Sequence, residues 1–413
     1  MNSATSALKD QDKPMPPEMR RLAATPAAFF MTLSFINWLS FASWQTLLHN
    51  FTIEQAQFGW FETGLTQTVR EIPGFLAFTA ILWIAMFREQ TIAYVSLVLM
   101  GFGIALTGFF PTLGGVLMTT LIMSIGFHYY EAVGQSLQLQ LLAKSEAPRI
   151  MGRIASAGAA AQFLAYGCLG LVWWVGFRNY IVLYAVVGVI SVGLLLLAWS
   201  IFPKFDGPVP QRKSLVIRRR YWLYYAMQFL GGARRQIFIA FAGFLLVKRF
   251  GYEVTDMALL MLVTALLTTL VASQLGNLVG TIGERNTLIL ENVVLIIVFA
   301  GYATTTDPTI AAVLFVLDGV FFTLYIAQRA YIQKIADPAD MAATSSLAFT
   351  INHTAAVVIP VCFGLLGMGN PSLIFWLGAA IACCSLALSL LVPRHPCPGN
   401  ETVLATPAPQ PAE

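Results

Sequence analysis

The feature that most limits what this chain can become is the recurrence, from residue 28 to residue 393, of apolar runs separated by short polar breaks. About 20 consecutive apolar residues cross the hydrocarbon core of a bilayer as a helix, in which each backbone N–H and C=O finds its partner within the segment. Twelve such spans can be counted, including 28–49, 58–86, 254–280 and 287–304. The composition agrees, with 57% of the 413 residues hydrophobic and 11% charged. An ordinary soluble domain carries about 25% charged residues. An all-α polytopic membrane protein with twelve transmembrane helices is therefore expected.

The longest polar interruption, "PKFDGPVPQRKSLVIRRR", falls between the sixth and seventh spans. It divides the chain into an N-terminal tail (1–27), a first six-helix half (28–202), a basic linker (203–220), a second half (221–393) and a proline-rich C-terminal tail (394–413) expected to be disordered. The halves echo each other. "PTLGGVL" opens the fourth span and "PTIAAVL" the tenth, and the turns that follow align Met151 with Met341 and Gln162 with Asn352. Matches at corresponding places point to two pseudo-symmetric halves built from a duplicated unit.

With the N-terminus inside, seventeen Lys and Arg fall in cytoplasmic segments and three (Arg178, Lys248 and Arg249) on the other side. The positive-inside rule then places both termini in the cytoplasm and the chain in the cell inner, or plasma, membrane. The net charge of +4 reports this topology, and no nucleic-acid partner is expected. The five cysteines have no metal-ligand spacing, so neither a disulfide framework nor a metal site is predicted.

Ionisable groups at mid-membrane cost at least about 2.5 kcal/mol each, so they face a protein interior or a watery cavity. Here Arg70 and Glu71 lie midway along the second span, Glu131 in the fourth, Arg234 and Arg235 in the seventh, and Asp318 and Arg329 in the tenth. Residues three and four apart share a helix face. Ser124, His128, Glu131, Gln135 and Gln138 thus form one stripe flanked by Tyr129 and Tyr130, and Asp318, Phe322, Tyr325 and Arg329 another. Tyr224, Gln228, Gly231 and Arg235 share a face of the seventh span, with Arg234 rotated about 100° away. The first span offers Ser34, Asn37, Phe41 and Trp44, and the second Thr63, Gln67, Arg70 and Gly74.

The chain resembles the major facilitator superfamily. "GNLVGTIGERN" fits that family's loop between the eighth and ninth spans at Gly276, Leu278, Gly283 and Arg285, with Gly280 in place of the acid and Glu284 before the arginine. The first-half counterpart keeps Gly74, Leu76 and a later Arg88. In that family the loop clamps the halves in one conformation, and the first, fourth, seventh and tenth helices line the central cavity. The polar stripes fall on those four helices. Glu291, near the end of a helix that is peripheral in such folds, reads as interfacial.

A secondary active transporter follows as the expected function, monomeric and not an enzyme, moving a small solute by alternating access with a proton or solute exchange as the coupling. No cofactor is implied, and no P-loop or nucleophile–base pair occurs. The surplus of arginine favours an organic anion, because guanidinium binds carboxylate and phosphate through a planar two-donor fork. The candidate substrate contacts are Arg235, Arg234, Tyr130, Gln135, Gln228, Tyr325 and Asn37. Glu131, Asp318 and His128 are the candidates for proton coupling, since a carboxylate shielded from water takes up a proton more readily. Arg70, Glu71, Arg329 and Arg285 are assigned to gating or structural pairing. One of Arg234 and Arg235 is expected to pair with an acid of the fourth or tenth span and the other to reach the cavity, Arg235 being favoured. A multidrug or metabolite efflux pump is the alternative, although the fifth span, "GAAAQFLAYGCLGLVW", lacks the proline of the drug–proton antiporter signature. A non-transporting assembly factor or scaffold is the alternative of another class.

Overall fold

The structure is a computed structural model describing residues 25–404 apart from 80–82, 84–85, 143–146, 206–216 and 338–339. Most of the N-terminal tail and of the basic linker therefore lies outside the described residues. The first half comprises α1 (Pro26–Glu54), α2 (Trp60–Phe75), α3 (Glu89–Thr107), α4 (Leu113–Leu141), α5 (Ala147–Trp174) and α6 (Tyr180–Ile201). The second comprises α7 (Arg219–Phe250), α8 and α9 within one stretch (Val254–Thr304), α10 (Pro308–Ile335), α11 (Met341–Gly369) and α12 (Pro371–Leu390).

The helix starts follow from local chemistry. Side chains of Thr25, Thr112, Asn179, Asp307 and Asn370 accept from first-turn N–H groups, and Pro26, Pro308 and Pro371 occupy first-turn positions where no N–H is needed. Gly283 divides α8 from α9 with φ 80° and ψ 165°, a conformation that L side chains avoid. Among the described residues eleven helices are long and apolar enough to cross a membrane. The remaining helix is α2, only 16 residues long and carrying Glu62, Arg70 and Glu71.

The packing repeats between halves. In the first, α1 lies on α5, α3 on α4 and α6, and α2 on α4. In the second, α7 lies on α11, α9 on α12, and the α8–α9 stretch on α10. Across the halves the principal contacts are α2 with α11 and α5 with α8, which are equivalent under the pseudo-symmetry. The first is a backbone-to-backbone approach, since a Cβ on Gly64 would sit 2.2 Å from the Pro360 carbonyl oxygen. Gly64→Val is accordingly expected to destabilise the protein by about 1–3 kcal/mol, the usual cost of overpacking. Thermal unfolding in detergent micelles measures it.

Among the described residues the polar links between halves lie at mid-depth or toward the end remote from the linker. There Asn50 donates to the Tyr252 carbonyl (2.7 Å), Arg178 pairs with Glu253 (2.7 Å), and Lys248 donates to the Phe58 carbonyl (3.4 Å). At mid-depth Gln67 donates to Gln236 (2.6 Å) and Thr68 to the Val357 carbonyl (2.7 Å). At the linker end the described ion pairs hold second-half acids, to Arg218 of the linker and to Lys334. Arg218 grips Asp340 with two bonds (2.8 and 3.0 Å), which hold that carboxyl below the usual carboxylate range, and Lys334 meets Glu284 at 2.6 Å.

The C-terminal segment departs from the expected disorder as far as Leu404. Tyr331 donates to the Glu401 carbonyl, and Val403 N–H to the Leu391 carbonyl (2.9 Å). A buried tyrosine hydroxyl needs an acceptor, and the returning chain supplies one.

Candidate functional site

The two adjacent arginines of α7 diverge, as a rotation of about 100° per residue requires. Arg234 is buried, its Nη2 2.5 Å from Glu291 Oε1 and its Nη1 2.6 Å from Asn292 Oδ1. Asn292 is fixed in turn by the Leu288 carbonyl (2.7 Å) and Ser389 Oγ (3.1 Å). Two expectations are corrected here. Glu291 is fully buried rather than interfacial, and the acid that pairs with Arg234 lies on α9 rather than on the fourth or tenth helix. The physical reason is that α7 and α9 share the second-half interior, so an arginine on that side of α7 needs a local counter-charge.

Arg235 is exposed between buried Arg234 and buried Gln236. Among the described residues no carboxylate lies within ion-pair distance of it. Its guanidinium sits 5.3 Å from the ring centroid of Phe322, within electrostatic reach of Glu131, Glu71 and Arg70 of the first half. It thus faces the joint between halves.

Beneath it α10 tightens into a 3-10 turn, Phe322–Tyr325. In such a turn residues three apart eclipse. The Phe322 and Tyr325 rings consequently lie nearly parallel, 5.9 Å apart with 7° between planes. The Tyr325 hydroxyl donates to Gln228 Oε1, and Gln228 Nε2 donates to Gln328 Oε1 (3.1 Å). Arg329, exposed, lies 5.9 Å from the Tyr325 ring.

On the first-half side, Arg70 and Glu71 are buried and paired with each other, and Arg70 Nε donates to Gln67 Oε1 (3.1 Å). Glu71 Oε2 faces His353 Nε2 at 3.6 Å and His128 Nε2 at 4.0 Å. His353 drew no role in the sequence because it stands alone on α11; only the fold brings it to α2 and α4. Glu131 is half-buried and Asp318 buried, neither with an ion-pair partner among the described residues. Gln135 is exposed on α4, whereas Tyr130 is buried in the first-half core. Asn37 is 1% exposed, and its Oδ1 has no hydrogen-bond partner among the described residues. Arg285 is half-buried beside the Gly283 bend, where the adjacent Glu284 makes the ion pair.

Two six-helix halves with polar side chains converging at mid-depth between them have the architecture of a membrane transporter. The Major Facilitator Superfamily profile matches residues 24–360, and the chain belongs to that family. Its family and fold are those of a transporter and not of an enzyme. None of the curated proteins compared with it matches. Among solved structures it is similar to the nucleoside transporter NupG, with 16% identity and a TM-score of 0.69 over 88% of this chain and 98% of that one. A bacterial homologue of the iron transporter ferroportin in an inward-facing state gives 13% identity and 0.69 over 88% and 97%. A bacterial homologue of the human lysosomal transporter Spinster, inward-facing and occupied, gives 12% and 0.69 over 88% and 95%.

Proposed function

We propose that the protein is a secondary active transporter that carries a small organic anion across the inner, or plasma, membrane, coupled to a proton or to solute exchange. Arg235 carries this reading. It is exposed at the joint between halves with no carboxylate within ion-pair distance among the described residues, and its two-donor fork suits carboxylate or phosphate. The parallel Phe322 and Tyr325 rings beside it offer a face for a planar group, with exposed Gln135 as a polar contact, while buried Gln228 orients Tyr325. Arg234 and Tyr130 leave the proposed binding set, because one is neutralised by Glu291 and the other lies in the core. With the linker end cytoplasmic, the links between halves at the far end fit a state closed on the outer side.

Glu131 is the proposed proton carrier, with Asp318 next, since neither makes an ion pair among the described residues. Glu131→Gln is expected to abolish accumulation driven by a pH gradient while leaving solute exchange intact. Accumulation that survives would move the role to Asp318. The test of the function itself is uptake by proteoliposomes of a panel of organic anions and lipophilic cations, with and without an imposed pH gradient. Anion uptake supports the proposal. Cation movement that dissipates the gradient, without anion movement, would sink it in favour of drug efflux.

A further inference from the structure

We propose that Glu71, His128 and His353 form a binding site for a divalent transition-metal ion at the joint between the two halves. One donor atom from each, Glu71 Oε2 and the two Nε2 atoms, lies within 4.8 Å of the others. The opposite ring nitrogens fix what these atoms carry. His353 Nδ1 is 3.0 Å from the Phe349 carbonyl oxygen, and His128 Nδ1 is 3.0 Å from the Ser124 carbonyl oxygen and 2.9 Å from Ser124 Oγ, whose own hydrogen goes to the Arg70 carbonyl. A carbonyl only accepts, so each Nδ1 bears the hydrogen, and in the neutral ring Nε2 is left with a lone pair.

Two lone pairs then face a carboxylate oxygen with no hydrogen between them. That arrangement is repulsive unless an added proton or a metal ion occupies the middle. It is also the arrangement of metal-binding histidines, whose second nitrogen commonly donates to a backbone carbonyl. A tetrahedral ion with bonds of about 2.0–2.1 Å holds its ligand atoms about 3.3–3.4 Å apart. The Glu71 distances of 3.6 and 4.0 Å need to contract only slightly. Two imidazoles and one carboxylate suit zinc, cobalt or ferrous iron rather than magnesium or calcium, and leave a fourth position open.

The surroundings are built for the rings. A Cβ on Gly74 would sit 2.3 Å from His353 Cδ2 and 2.7 Å from His128 Nε2, so only a glycine lets both rings come this close to α2. Arg70 occupies the other carboxylate oxygen and leaves Oε2 to the ion. Arg70 and Arg235 would repel the ion and Glu131 would offset part of that repulsion, so binding is weaker than the three ligands alone would give. Because α2 and α4 belong to the first half and α11 to the second, the ion would tie the halves together in the present state. That last consequence rests on the transport reading, whereas the site does not.

The test uses the full-length protein in detergent, purified without a polyhistidine tag and titrated with Co²⁺. One Co²⁺ per chain is expected, with visible absorption typical of mixed nitrogen and oxygen ligation. His353→Ala and His128→Ala should each weaken Co²⁺ binding by at least about tenfold, while His395→Ala, at an exposed histidine of the tail, should leave it unchanged. Electron spin-echo modulation of bound Cu²⁺ on the unmodified chain should show two imidazoles, which decides the matter even where a variant does not fold. No saturable Co²⁺ binding, unchanged binding in both folded variants, or fewer than two imidazoles on Cu²⁺ would overturn the proposal. Co²⁺ bound by these residues in a protein that moves no anion would leave the site standing and sink only the transport reading.

Discussion

Arg235→Lys is expected to lower organic-anion uptake by at least about tenfold, with normal insertion and an unchanged unfolding temperature. Charge-assisted hydrogen bonds contribute about 1.5–3 kcal/mol each, and lysine keeps the charge but loses the planar fork that makes two of them at once. It also loses the stacking that places the guanidinium over Phe322. Stability should stay within about 0.5 kcal/mol, as for other sites away from buried networks, because Arg235 is exposed and lysine keeps its charge. Uptake kinetics in proteoliposomes, alongside unfolding in micelles, separate the two effects. Wild-type kinetics would remove Arg235 from the binding site, and a matched loss of stability would make it structural.

What could be read from the sequence was local. Apolar run length points to the membrane-crossing helices, the interruption before residue 221 separates two sets of them, and three- and four-residue spacing proposes polar faces on α4, α7 and α10. Each depends only on neighbours along one helix. Partnerships between helices were out of reach by the same logic. Glu291 lies 57 positions beyond Arg234, and its nearness to a polar loop made it look interfacial, although its helix turns that side into the second half. His353 and Glu71 stand on helices from different halves, so no spacing connects them. The 3-10 turn that aligns Phe322 with Tyr325 also lacks a local marker, since neither Gly nor Pro interrupts "FFTLY". A signal existed for one of these partnerships: an isolated acid inside a membrane helix is expensive wherever it sits, and applying that to Glu291 would have paired it with an arginine.

Arg234→Ala is expected to cost about 3–5 kcal/mol, enough to prevent recovery of folded protein, since removing one member of a buried ion pair leaves the other charged and without a partner. Glu291 is fully buried, and its Oε2 already lacks a hydrogen-bond partner among the described residues, so nothing local can replace the guanidinium. Asn292 would lose its bond from Arg234 as well. The double variant Arg234→Met/Glu291→Met separates the alternatives, because exchanging a buried pair for apolar side chains of similar volume is often neutral or stabilising. It should therefore restore folding that neither single change permits and retain uptake, since neither residue is proposed to touch the solute. Unfolding temperatures of the two single variants and the double variant give the coupling between them. A folded double variant without uptake would assign Arg234 or Glu291 to the transport cycle, and a stable Arg234→Ala would show that α9 does not depend on this pair.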